Sequence, residues 1–194
     1  MTFAQLKRYW HIEMLGGADK RFTWRRLHEK YRQRSRYRYL FWFRLAQYLN
    51  SSRFKFVRKR GQRLADRTAE RFGIEIALGA QIGEGLFIPH PVGIVITRKA
   101  VIGKNFSIFQ NTTIGQKDDA SGPIRIGDNV TIGANACIIG DGLSIGSNVT
   151  VAAAAFVNKD IPAGHLYVSR FTSTQIELSD GPSPISTRHS RQTK

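Results

Sequence analysis

At 194 residues the chain is long enough for one domain with a smaller appendage, and its 41% of apolar residues can furnish a core. A single cysteine, Cys137, excludes an internal disulfide framework and suits a reducing compartment. The formal charge is +16, and residues 1–71 hold nearly all of the excess, with 20 Lys and Arg against 5 Asp and Glu. That third of the chain therefore calls for an anionic partner: a phospholipid surface or a polyanionic substrate, and not a nucleic acid, since no nucleic-acid-binding motif accompanies the charge.

The opening residues MTFAQLKRYW lack the apolar core of a signal peptide. The most apolar stretch, Tyr39 to Leu49, is too short to span a bilayer and has Arg44 in its middle. The expectation is a cytoplasmic protein without a transmembrane helix. Residues 1–72 read as a basic helical region. Trp42, Leu45, Ala46 and Leu49 fall at i, i+3, i+4 and i+7, one face of a helix, although the aromatic run YRYLFWF covers more than one face. Asn50-Ser51-Ser52 breaks that helix. A second helix comes next, with Phe54, Val57, Leu64, Thr68 and Phe72 on one side and Arg58, Lys59, Arg63 and Arg67 largely on the other. Such helices suit an anionic membrane surface; the plainer reading is that they only cap the domain C-terminal to them.

Residues 73–165 change character. An apolar residue followed by glycine recurs at Ile82, Ile102, Ile114, Ile126, Ile132 and Ile145, and Ile76, Ile88, Ile108, Val151 and Val157 keep the phase of six. This period predicts a left-handed parallel β-helix: three hexapeptides make a triangular coil, with one aliphatic residue of each pointing inward. The glycines and Lys104-Asn105, Asp128-Asn129 and Ser147-Asn148 are expected at tight corners, where a positive φ or local side-chain bonding is needed. The Asn-x-Ser/Thr matches at Asn105, Asn111, Asn129 and Asn148 are then corners and not glycosylation sites. The phase slips by two residues between Ile88 and Ile102, at Pro91–Gly93 or Thr97-Arg98, and by one near Gly140-Asp141-Gly142. The polar run Gln116–Pro123 reads as a loop thrown out from a coil. From about residue 166 the period is lost, and the polar tail from Gly181 to Lys194 is expected to be disordered.

The runs IGEGLFIPHPVGIVITRKAVIGKNFSIFQNTTIGQ, PIRIGDNVTIGANACIIG and VNKDIPAGH resemble the serine-acetyltransferase-like branch of hexapeptide-repeat acyltransferases, most of all its short capsule and exopolysaccharide members of the colanic-acid type. The resemblance implies acetyl transfer from acetyl-CoA, used as a co-substrate with no resident cofactor. It makes His90, in Pro89-His90-Pro91, the catalytic base that takes the proton of the acceptor hydroxyl. For CoA it implies main-chain contacts near Gly133, Ala134, Ala152 and Ala153, with Lys159 meeting a phosphate and Arg170 standing in for a lysine the family has further on. It also implies a homotrimer, since the site draws on two chains. Asp118 and Asp119 are candidates to orient His90 across a subunit boundary or to bind the acceptor, though a solvated acidic loop is the commoner use of such residues. No metal site is expected, because hexapeptide carbonic anhydrases need three histidines and the repeats offer one.

Two departures shape the acceptor expectation. Serine acetyltransferases have an acidic residue where Pro89 stands, and a second histidine on the loop that here reads Ser121-Gly122-Pro123. These point to a sugar hydroxyl of a polysaccharide, or of its lipid-linked precursor displayed at the inner membrane face. A divergent serine O-acetyltransferase of cysteine biosynthesis is the alternative reading, and a non-catalytic trimeric scaffold a second.

Overall fold

The computed structural model describes residues 1–17 and 19–171; the tail from Gly181 lies outside them. Four helices come first: α1 (Phe3–Leu15), α2 (Trp24–Gln33), α3 (Ser35–Asn50) and α4 (Lys55–Phe72). Thr2 starts α1 with a capping box, its side chain accepting from Gln5 N while the Gln5 side chain accepts from Thr2 N. Thr23 caps α2 through Arg26 N. α4 ends on Gly73, at φ 62°, a left-handed conformation that costs glycine little.

Short strands then wind into a solenoid of about five coils, and every pairing between them is parallel. The first face holds β1 (Ile74–Ile76), β3 (Ile94–Ile96), β6 (Thr113–Gln116), β9 (Cys137–Gly140) and β12 (Phe156–Val157). The second holds β2 (Gln81–Ile82), β4 (Ala100–Ile102), β7 (Ile124–Ile126) and β10 (Ser144–Ile145). The third holds β5 (Ser107–Ile108), β8 (Thr131–Ile132), β11 (Thr150–Val151) and β13 (Leu166–Tyr167). The aliphatic residues of the six-residue phase all point inward, and register stacks them: Ile76, Ile96, Ile114, Ile138 and Val157 form one column. Burying each such side chain stabilises the fold by about 1.5–3 kcal/mol. The solenoid continues past residue 165, because β13 pairs with β11.

Asn105, Asn111, Asn129 and Asn148 all adopt φ of 55–57° at corners, as the pattern predicts. The first, third and fourth also bond in a ladder, Asn105 Nδ2 donating to Asn129 Oδ1 (2.9 Å) and Asn129 Nδ2 to Asn148 Oδ1 (3.0 Å). The glycines of the Ile-Gly pairs do something different from what the sequence suggests. Their φ is not positive; all but Gly115, where a Cβ would make only ordinary contacts, are small because the next coil passes directly beneath. A Cβ on Gly127 would lie 2.6 Å from Ser147 N. Gly127→Ala is therefore expected to destabilise the fold by about 1–3 kcal/mol, measured by chemical denaturation; an unchanged midpoint would show that the coils can spread.

The helices close the first coil. Tyr39, Leu40 and Phe43 of α3 join the solenoid core, while Phe41, Leu45 and Tyr48 pack on the other side against Leu6, Trp10, Met14 and Leu27. The face expected from Trp42, Leu45, Ala46 and Leu49 is thus corrected. Only Ala46 of that set is fully buried, because α3 is sandwiched and uses two faces. In α4, Val57, Leu64 and Phe72 are half-buried and Thr68 buried, but Phe54 is exposed. Gly61 lets α4 approach α3: a Cβ there would meet Asn50 N at 2.8 Å.

Arg44 is wholly buried and pins this cap. It donates to both carboxylate oxygens of Glu13 (3.1 and 2.6 Å), to Gln47 Oε1 (2.9 Å), and to the carbonyls of Ile82 (3.1 Å) and Gly83 (2.8 Å). Its guanidinium lies 4.2 Å from the Tyr9 ring centroid. Burial pushes the Glu13 carboxyl up and Arg44 opposes it. No helix of the described residues is long and apolar enough to cross a membrane.

Candidate active site

Register locates the slips that the sequence leaves open. Ile88 to Ile96 spans eight residues where Ile108 to Ile114 and Ile132 to Ile138 span six, while Ile96 to Ile102 keeps six. Both extra residues therefore sit in the corner that contains Pro89-His90-Pro91, and none at Thr97-Arg98. His90 is exposed there, and its carbonyl accepts from Val92 N (2.9 Å). Gly93 N donates to Gly73 O (2.7 Å), which ties the widened corner to the start of β1.

The same edge of the triangular coil runs down through the other coils. Gly93, Asn111, Asn135 and Ala154 occupy matching corner positions at φ of 66, 55, 59 and 57°. Gly133-Ala134 and Ala152-Ala153 lie on this edge and stack on each other: Gly133 N donates to Val151 O and Ala154 N to Ala134 O, both at 2.8 Å. A Cβ on Gly133 would sit 2.5 Å from Ala153 N, so only glycine permits the stacking. Coils repeat at about 4.8 Å, which puts the small-residue corners roughly 10 and 14 Å below that of His90. The result is an edge with an exposed imidazole at one level and small residues, half-buried or exposed, two and three coils below.

Arg170 belongs to this edge and Lys159 does not. The pairing of Val151 with Tyr167 carries Val168–Arg170 around the corner below Ala152–Ala154, with Ser169 Oγ accepting from Phe156 N (2.9 Å). Lys159 is exposed on the neighbouring edge, across the first face, ahead of Ile161, which bridges Ile145.

Asp118 and Asp119 also lie on that neighbouring edge. Ile114 to Ile126 covers twelve residues where the preceding coils use six, so the loop through Lys117–Pro123 is extra chain. Asp118 is spent on the loop itself, accepting from Ser121 N (2.8 Å) and Ser121 Oγ (3.0 Å), and these bonds hold its carboxyl below the ordinary value. Lys99 Nζ anchors the loop by donating to the carbonyls of Asp119 and Ser121, and Asp119 is paired with Arg98 at 3.6 Å. Within one chain the structure does not bring either aspartate to the His90 corner.

Beside this neighbouring edge a groove of about 660 Å³ opens on the first face, lined by Glu75, Val95, Thr97, Arg98, Gln116 and Asp119, among others. Glu75, Arg98 and Gln116 escaped the sequence reading. The signal for Glu75 was its place between Ile74 and Ile76: alternation forces it outward, on the strand tied to the His90 corner.

The family described as "Hexapeptide repeat of succinyl-transferase" matches residues 123–159. The serine acetyltransferase of Helicobacter pylori (strain ATCC 700392 / 26695) is 36% identical over 136 residues, which are 68% of this chain and 76% of that one. Serine acetyltransferase 1, chloroplastic, of Arabidopsis thaliana is 40% identical over 102 residues, 52% of this chain; the match spans only 32% of that longer protein. Among solved structures, serine acetyltransferase isoform 3 of Entamoeba histolytica in complex with cysteine superposes with a TM-score of 0.71 at 25% identity, over 91% of this chain and 63% of that one. Serine acetyltransferase of Brucella abortus strain S19 in complex with coenzyme A gives 0.60 at 28% identity, over 67% and 51%. These findings overturn the expectation of a capsule-type enzyme with a saccharide acceptor. The relatives are serine acetyltransferases, and the missing acidic residue and histidine do not remove the chain from among them.

Proposed function

The chain belongs to the serine acetyltransferase family, and on that premise we propose that it transfers acetyl from acetyl-CoA to the hydroxyl of L-serine. The observation that carries this reading is the 36% identity running over 136 residues, 76% of the Helicobacter pylori enzyme. In this reading His90 takes the proton of serine Oγ as that oxygen attacks the thioester carbonyl. The tetrahedral oxyanion collapses, the C–S bond breaks, and the proton passes to the departing CoA sulfur. The products are O-acetylserine and CoA.

CoA lies along the edge of Gly133-Ala134 and Ala152-Ala153, where small residues let the pantetheine arm approach the backbone, and Arg170 at the foot of that edge meets a phosphate. Lys159, on the neighbouring edge, then serves the CoA of a neighbouring copy in an assembly about a threefold axis. Glu75 is the carboxylate we assign to orient the imidazole. Across a subunit boundary, the groove of a neighbouring copy would bring Arg98 for a carboxylate and Asp119 for an ammonium, the two charges of an amino-acid acceptor, to the His90 corner.

The test is release of free thiol from acetyl-CoA on addition of L-serine. Serine-dependent release, with O-acetylserine identified by mass spectrometry, is the expected result. Thiol release unaffected by serine at millimolar concentration would sink the assignment of the acceptor.

A further inference from the structure

Capping the solenoid accounts for the apolar side chains of α3, but not for the opposite corner of the helical region. There α1 begins, α3 ends and α4 begins: Ser51 Oγ lies 3.3 Å from Met1 O, and Phe3 meets the Tyr48 ring edge-on at 6.2 Å. Three phenylalanines stand out from this corner, Phe3, Phe54 and Phe56, with 51, 49 and 62% of their surface exposed. Phe54 and Phe56 lie 5.9 Å apart, and the Arg53 guanidinium covers the Phe54 ring at 4.7 Å.

Behind this apolar tip runs the charge of α4. The helix has seven Lys and Arg against Asp66 and Glu70. Among the described residues, none of the seven comes within 4.0 Å of a carboxylate. Arg58 is occupied, donating to the carbonyls of Ser52 and Arg53 and so fixing the turn that presents the rings. Lys55, Lys59, Arg60, Arg63 and Arg67 remain exposed.

We propose that this corner docks on an anionic lipid bilayer, with Phe3, Phe54 and Phe56 entering the headgroup boundary and the exposed cations of α4 meeting lipid phosphates. Rings gathered at one tip, with cations behind them along a single helix, match an interface that is apolar below and anionic above. A groove for single-stranded nucleic acid would instead space its rings between its cations, so that successive bases could stack. The attraction is electrostatic in reach and falls off over about 8–10 Å at physiological salt; the rings hold what the charge brings in.

The experiment is co-sedimentation of the whole chain with vesicles of phosphatidylcholine containing about a quarter phosphatidylglycerol, against phosphatidylcholine alone. Wild type is expected to pellet with the anionic vesicles only, and to be released by salt raised to about 0.5 M. The double variant F54S/F56S should bind about tenfold more weakly, and K59E/R63E should stay in the supernatant. Both should keep wild-type circular dichroism and acetyl transfer, so that lost binding is not lost folding. The proposal is overturned if wild type ignores anionic vesicles at low salt, or if F54S/F56S binds them as wild type does. Tighter binding to a duplex or single-stranded oligonucleotide than to the vesicles would also overturn it.

Discussion

Replacing His90 with alanine is expected to lower kcat by about 10²–10⁴ while leaving CoA affinity within a few-fold of wild type. The expectation rests on position. His90 occupies the corner that two extra residues widen, on the edge that also presents Gly133-Ala134 and Ala152-Ala153, yet by register the latter lie two and three coils away. A group that only shaped the CoA site would move affinity; a base at the reacting end moves kcat. Steady-state kinetics with serine, together with calorimetric titration of CoA, separate the two. Glu75→Gln should fall between wild type and the alanine variant, by about ten- to a hundredfold in kcat. A His90→Ala enzyme within a few-fold of wild type would remove the residue from the mechanism, and an affinity loss without a kcat loss would move it to CoA binding.

The second large effect is on stability. Glu13→Ala or Arg44→Met should each destabilise the fold by about 3–5 kcal/mol, a drop in Tm on the order of 10 °C. Both side chains are fully shielded from water, and their bond is 2.6 Å long. Removing Glu13 leaves a buried cation with Gln47 Oε1 and the carbonyls of Ile82 and Gly83 as its acceptors. Removing Arg44 leaves a buried carboxylate facing Leu86 N. The double variant, Glu13→Ala with Arg44→Met, should cost less than the sum of the two, because it leaves neither charge behind. Strict additivity in a denaturation cycle would mean that the two groups do not act as a pair.

How much of the fold and of the site is legible in the sequence depends on the kind of signal each element emits. The solenoid announces itself by period: every aliphatic residue that keeps the phase, from Ile76 to Val157, is buried. The corner asparagines are equally readable, since a left-handed φ has few takers other than Asn and Gly. The Ile-Gly glycines were misjudged because crowding between coils is a three-dimensional fact, visible only once Gly127 is seen to lie over Ser147. α1 and α2 carry apolar stripes, Leu6, Trp10 and Met14 in one and Trp24, Leu27 and Tyr31 in the other, that the sequence reading passed over, while α3 has two buried faces, which blurs the single stripe that helical reading looks for. At the site, His90 stands out by its motif, whereas Glu75, Arg98 and Gln116 are ordinary outward residues until the coils bring them to one groove. The acceptor was misjudged because two missing residues were weighed above similarity along the rest of the chain.

The helical cap also bears on how the protein can be made. A nascent chain exposes its residues in order, so α1 to α4 leave the ribosome before any coil does. The Arg44–Glu13 pair reaches forward only to Ile82, Gly83 and Leu86, within the first coil. That coil is therefore the first to meet a finished surface, formed by Tyr39, Leu40 and Phe43. Each later coil needs only its predecessor. Winding thus has a defined starting end, and at any moment a single growing edge is open to the wrong partner.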